Sequence, residues 1–283
     1  MEYRFGLIGY PIKHSLSPWI HEKFLQKAGL QGNYSLYEIN TNESFADKFA
    51  DKIEELKNEN LNGFNVTVPY KKTIIPFLDE VDKEAEAIGA VNTVICKNGK
   101  WIGYNTDGNG YLRSLIKAFP TVGQDKNLKI LILGAGGAAR GILYTLSING
   151  FQHIDLANRT EESARALKEL YELDNTSLLS LKEAENVMEK YDLIIQTTSV
   201  GMKSIEGNTI VSINRLSEKN IVSDIIYQPV ETNLLRNAKN AGARIHYGHT
   251  MLLYQAQYAF ELWTNMRVAI NEMETELLEQ LEG

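Results

Sequence analysis

Gly134, Gly136 and Ala139 stand at the G-x-G-x-x-G/A spacing directly after the apolar run Leu128-Lys129-Ile130-Leu131-Ile132-Leu133. Missing side chains at those positions allow a tight turn, close backbone approach to a pyrophosphate, and close packing of a following helix on the strand. Gly134, Ala135, Gly136, Gly137 and Ala138 then read as a phosphate loop. The free N–H groups and positive dipole end of a helix running to Ile148 would face the anion. The plain alternative is a structural strand-to-helix turn. The buried-type strand before it and the helical stretch after it favour dinucleotide binding.

The end of the next strand decides which dinucleotide. An NAD site places Asp or Glu about 20 residues beyond the glycines to hold the ribose 2′-hydroxyl. This chain has Asn158-Arg159-Thr160 instead. The Arg159 guanidinium suits a 2′-phosphate, and Asn158 and Thr160 add neutral donors, so NADP is the expected cofactor. The competing reading makes Arg159 a solvated helix-start residue and Thr160 an N-cap.

Other candidates lie earlier and later in the chain. Ser17-Pro18 marks a helix start, with Ser17 as N-cap and Pro18 as first helical residue. Ser15 is left unexplained by that, and two hydroxyls around a helix N-terminus can hold a carboxylate. Lys71 falls just past a strand broken by Pro69, where sites of α/β folds gather, with a helix expected to restart nearby. Asp107 reads either as an N-cap or as a site carboxylate. Asn92 sits in an apolar strand, where a buried amide needs partners. Gln255 flanks the apolar stripe of the last long helix.

These residues are carried by strands at Tyr3–Ile8, Asn33–Ile39 and Gly63 onward, then by a hairpin turning at Asn98-Gly99. Pro120 to Asn127 reads as a polar link. Strands at His153–Ala157, Asp192–Gln196 and Ile221–Ile226 alternate with helices beyond it, the pattern of a nucleotide-binding α/β fold. With 283 residues, 43% of them apolar, the chain suffices for two domains. A net charge of -7 and a pI near 5.4 argue against nucleic acid or an anionic membrane as partner. The lone Cys96 excludes an internal disulfide framework and reads as a packing residue, and no metal-ligand cluster is visible. No secretory leader and no apolar run of roughly 18 residues is present, so a cytoplasmic protein is expected.

Taken together, Ser15-Leu16-Ser17, Asn65 to Lys71, Gly89 to Thr93, Asn105 to Gly108, Gly134 to Arg140, Asn158 to Thr160 and Gly248 to Ala256 resemble the shikimate dehydrogenase family over nearly the whole chain. The resemblance implies reversible NADPH-dependent reduction of 3-dehydroshikimate to shikimate, on the way to aromatic amino acids. It implies that Ser15 and Ser17 bind the substrate carboxylate. Thr67, Lys71, Asn92, Asp107 and Gln255 would bind the ring hydroxyls, with Lys71 and Asp107 as the catalytic pair. Tyr227 would be a further substrate contact, and Thr198, Gly248 and Met251 would lie among the residues lining the nicotinamide.

The expected fold class is α/β. A Rossmann-type NADP-binding domain over residues 107–238 is inserted into an α/β substrate-binding domain formed by residues 1–106 and C-terminal helices over 239–283. The active site is expected in the cleft between them, and the molecule as a monomer or homodimer. A quinate/shikimate dehydrogenase paralogue with relaxed cofactor use is the competing enzyme, which would carry an acid just after the Asn-Arg pair. Glu161 comes one place later than that. A non-catalytic NADP-binding sensor would lack Lys71 or Asp107, and both are present.

Overall fold

The computed structural model describes residues 2–40, 45–171, 173, 175–202, 207–213 and 215–282. The chain forms two compact units, Met1–Thr106 with Gln255–Ala269, and Asp107–Tyr254 with Ile270–Gly283.

The first unit contains β1 (Glu2–Gly9), α1 (Ser17–Ala28), β2 (Gln31–Glu38), α2 (Phe45–Lys57), β3 (Gly63–Val66), β4 (Glu80–Val81), α3 (Lys83–Ile88), β5 (Thr93–Lys97) and β6 (Lys100–Tyr104). Its six-stranded sheet has the order β2-β1-β3-β5-β6-β4. β1 pairs in parallel with β2 and β3, whereas β5 is antiparallel to both β3 and β6. Asn98 and Gly99 both have positive φ, 53° and 74°, as a two-residue hairpin turn requires. Ile8, Phe64, Val66 and Val94 cover one sheet face together with Phe49, Ile53 and Leu56 of α2. Cys96 packs beside this cluster, and burial pushes its thiol up to about 12.

Two local expectations fail in this unit. Leu16, not Ser17, occupies the N-cap position of α1, and Ser17 is the first helical residue. No regular helix restarts at Lys71, and the chain runs through turns to a short 3-10 segment, Ile75–Phe77. The cause is non-local. The Lys71 carbonyl accepts the Val91 N–H at 2.8 Å, so it is not available to the helical ladder, and the Tyr70 hydroxyl bonds the Ile39 carbonyl.

The second unit contains α4 (Asp107–Ala118), α5 (Pro120–Gln124), β7 (Lys129–Leu133), α6 (Gly137–Ile148), β8 (His153–Ala157), α7 (Glu161–Leu170), β9 (Leu178–Leu179), α8 (Leu181–Val187), β10 (Leu193–Gln196), β11 (Ile221–Asp224), α9 (Asn233–Asn240) and β12 (Arg244–His246). The expected polar link therefore holds a short helix, α5. Six strands pair in parallel in the order β12-β11-β10-β7-β8-β9. Counted within the unit this is 3-2-1-4-5-6, the dinucleotide-binding order, whose switch point lies between β7 and β10. Ile130 and Ile132 face a core built with α4, α6 and α7, while Leu131 and Leu133 face one built with α8 and α9. Burial on both faces explains why this strand is a continuous apolar run.

The chain closes with α10 (Gly248–Thr264) and α11 (Asn271–Glu282). β12 completes the second sheet, and of residues 239–283 only 255–269 group with the first unit, whereas 239–254 and 270–283 group with the second. The later part of α10 packs in the first unit, where the Trp263 indole N–H donates to the Val94 carbonyl at 2.9 Å and the ring stacks on Phe5.

Candidate active site

The small residues of the β7–α6 turn have three different causes. Gly134 is buried with φ +115°, and a Cβ there would lie 2.5 Å from Thr197 Oγ1 and 2.8 Å from Thr198 Cγ2. It permits a backbone conformation and an approach that no other residue allows. Gly136 and Gly137 are exposed, and a Cβ on either would meet nothing within 4 Å. Gly136 is the N-cap of α6 and offers no side-chain cap, which leaves the first-turn N–H groups facing an open approach. Ala139 is fully buried against the strand. A tight turn, an open cradle and a close-packed helix are what a pyrophosphate requires here.

At the end of β8 the Asn158 side-chain amide donates to the Thr160 carbonyl at 2.9 Å and so shapes the turn. Thr160 occupies the N-cap position of α7, as the competing reading has it, but makes no side-chain cap bond. Arg159 is exposed. The Glu161 carboxylate is engaged by Arg165 one turn along the helix. The end of this strand therefore offers a guanidinium and a hydroxyl, and its nearest carboxylate is already paired. That donor set fits a 2′-phosphate better than a free 2′-hydroxyl.

The loop after β10 is shaped by Gln196, a fully buried residue at the strand end for which the sequence carries no functional expectation. Its amide nitrogen donates to the carbonyls of Thr198 and Val200 at 3.2 and 3.1 Å, and its oxygen accepts the Thr198 N–H. Thr198 Oγ1 in turn accepts the Val200 N–H at 3.2 Å. The neighbouring strand ends in Asp224, also fully buried, whose oxygens accept the Ile226 N–H at 3.0 Å and the Thr232 hydroxyl at 2.8 Å. Burial pushes this carboxyl up to about 6 against those two bonds. The usable signal for both residues was a polar side chain closing an apolar strand. Tyr227 follows, half-buried, with its phenol raised by burial. Gly248 opens α10 against the same stretch: a Cβ there would lie 2.4 Å from the Ile226 carbonyl oxygen. Met251, one turn on, is buried in the core beside Ile225. Asp107 is the first residue of α4 and is 8% exposed, so it lies inside the helix rather than at its N-cap.

Ser15, Ser17, Thr67, Lys71, Asn92 and Gln255 belong to the first unit. Ser15 Oγ accepts the Ser17 N–H at 3.2 Å, and the two hydroxyls lie 3.1 Å apart. Gly9 brings this loop against the Thr67 segment, because a Cβ on it would lie 2.3 Å from Thr67 Cγ2 and 2.6 Å from Ile12 Cγ2. The Tyr10 N–H donates to the Val68 carbonyl across the same junction at 3.1 Å. Thr67 and Lys71 are half-buried on the turns that follow β3. Asn92 stands in the bend just before β5 rather than within the strand, and its carbonyl accepts the Val66 N–H at 2.8 Å. Its side-chain oxygen accepts the Thr106 N–H at 2.8 Å and the Thr93 hydroxyl at 2.9 Å, and its amide nitrogen donates to Thr106 Oγ1 at 3.0 Å. The buried amide thus has the partners its position demanded. Gln255 is half-buried on α10.

A doubly wound parallel sheet, with an uncapped glycine turn at its switch point and an exposed guanidinium at the end of the neighbouring strand, defines a dinucleotide-binding α/β protein. Residues 7–94 match the shikimate dehydrogenase substrate binding domain, residues 117–238 the shikimate/quinate 5-dehydrogenase model, and residues 248–278 the shikimate 5′-dehydrogenase C-terminal domain. The chain is 50% identical to shikimate dehydrogenase (NADP(+)) of Oceanobacillus iheyensis, with 100% of each chain covered. The crystal structure of shikimate dehydrogenase from Aquifex aeolicus aligns with a TM-score of 0.85 at 39% identity, over 98% of this chain and 97% of that one. The Thermus thermophilus enzyme, solved in complex with NADP(H) and shikimate, aligns with a TM-score of 0.86 at 32% identity over 99% and 100%. The chain belongs to the shikimate dehydrogenase family.

Proposed function

We propose that this protein catalyses the reversible NADPH-dependent reduction of 3-dehydroshikimate to shikimate in the pathway leading to aromatic amino acids. Membership of the family along the full chain carries the reading, and the Arg159 and Glu161 arrangement supports the choice of NADP. Bound NADPH supplies the hydride. The residues Gly134 to Ala138 hold its pyrophosphate, Asn158, Arg159 and Thr160 its 2′-phosphate, and Thr198, Gly248 and Met251 its nicotinamide end. Ser15 and Ser17 take the substrate carboxylate, while Thr67, Asn92, Tyr227 and Gln255 take its hydroxyls. Lys71 and Asp107 act as the catalytic pair. The reduced ketone leaves an alkoxide, and the Lys71 ammonium supplies it with positive charge and a proton. Asp107 fixes the substrate hydroxyl beside that carbonyl.

The test follows NADPH oxidation by 3-dehydroshikimate, with NADH and with 3-dehydroquinate as parallel arms. Turnover is expected with NADPH and 3-dehydroshikimate, at least about tenfold above either parallel arm in kcat/KM, the size of one lost charged hydrogen bond. Equal rates with NADH would overturn the role of Arg159, and no oxidation with 3-dehydroshikimate would overturn the reaction.

A further inference from the structure

His246 ends β12, is 2% exposed, and has no role in the chemistry above. Its ring bridges two elements of the second unit. Nδ1 lies 2.8 Å from Ser223 Oγ of β11, and Nε2 lies 3.2 Å from Thr250 Oγ1 of α10. The tautomer follows from the partners. Thr250 spends its hydroxyl proton on the Tyr247 carbonyl at 2.8 Å, so it can only accept from the ring. Nε2 therefore carries the proton, and Nδ1 accepts from the Ser223 hydroxyl. Tyr111 and Phe119 meet the ring edge-on at 5.8 and 6.4 Å and restrict its rotation. Burial, aided by the nearby His249 and only partly opposed by a bond to the Ser114 backbone of α4, holds the imidazole down at about 4, so it stays neutral at neutral pH.

The bridge ends on a particular turn. Thr250 lies between Gly248 and Met251, and Gly248 packs on the backbone of Ile225 and Ile226 just past β11, where a Cβ would lie 2.4 to 2.5 Å from their backbone atoms. We propose that His246 is a positioning residue for the reaction: by tying Thr250 to Ser223 it fixes where Gly248 and Met251 stand against the nicotinamide. This rests on the assignment of that turn to the nicotinamide under the proposed function. A misplaced ring costs turnover through poor alignment of the hydride, while the phosphate contacts at the other end of the cofactor keep its affinity.

The test compares His246→Phe, which fills the space without the bonds, with His246→Gln, which can again accept from Ser223 and donate to Thr250. Each is checked for native circular dichroism, then measured for kcat, for NADPH Kd, and for the fluorescence enhancement of the bound dihydronicotinamide, which needs no substrate. His246→Phe is expected to lose at least about tenfold in kcat, with NADPH Kd within about threefold and a clearly reduced enhancement. His246→Gln is expected to recover most of both. Thr250→Val, which removes only the hydroxyl, should resemble His246→Phe. Unchanged kcat and enhancement in His246→Phe would overturn the proposal, as would a loss that His246→Gln does not recover. A wild type that binds NADPH but does not reduce 3-dehydroshikimate would overturn the assigned reaction, and the fluorescence comparison would still decide the part played by His246.

Discussion

Arg159 and Glu161 show how much one turn of helix can decide. The carboxylate that could serve a free 2′-hydroxyl is bound to Arg165, and the guanidinium two residues before it is exposed at the strand end. A charged hydrogen bond is worth about 1.5–3 kcal/mol. Arg159→Ala should therefore raise KM for NADPH about 10- to 100-fold and leave KM for NADH nearly unchanged, as steady-state kinetics with each cofactor will show. An equal loss with both would mean that Arg159 acts elsewhere. Residue identity at this strand end was legible because the contacts concerned are local, between neighbours in sequence. The setting of Asn92 was legible only as a need: its principal partner, Thr106, comes from across the β5–β6 hairpin, a pairing that spacing alone does not reveal.

Among the elements, the β7–α6 unit was the most readable, since a strand buried on both faces and a turn that tolerates only small residues leave few alternatives. The Lys71 segment was the least readable. Its backbone follows the bond from Val91 and the Tyr70 anchor, both fixed by distant residues, so local propensity wrongly favoured a helix. Two glycines separate packing from binding at this scale. A Cβ on Gly108 would lie 2.0 Å from Thr145 Oγ1 and 2.4 Å from the Gly141 carbonyl oxygen, where α4 crosses α6. Gly108→Ala should cost about 1–3 kcal/mol, the usual range for overpacking. Thermal denaturation would then show Tm lower by roughly 3–10 °C. Gly136 has φ -82° and open space around it, so Gly136→Ala should leave Tm almost unchanged while raising KM for NADPH. An equal fall in Tm for both variants would contradict the distinction between packing and approach.

For the whole molecule, buried ionisable groups set the response to pH. His21, His246 and His249 are held at about 3, 4 and 4 by burial, so the unfolded chain binds protons at higher pH than the folded one. Their contribution to stability is complete above about 6.5 and is lost as pH falls toward 3 to 4, on the order of 3–5 kcal/mol for His21 and His246 and less for the less buried His249. Asp224 works in the other direction. Its carboxyl is raised from 3.8 to about 6, so the folded state keeps a proton that the unfolded state releases, and stability falls as pH rises across that window. Urea unfolding should show Asp224→Asn gaining on the wild type between about pH 4 and 6, by up to about 3 kcal/mol. A stability difference that is flat across that range would contradict the raised carboxyl. No helix among the described residues is long and apolar enough to cross a membrane. The central claim concerns proton delivery by Lys71, and the most direct measurement is the kcat of Lys71→Ala for NADPH oxidation by 3-dehydroshikimate beside the wild type. The expected result is a fall of about 10²- to 10⁴-fold, the usual worth of a general acid, with substrate KM within a few-fold. Turnover near the wild-type rate would contradict it.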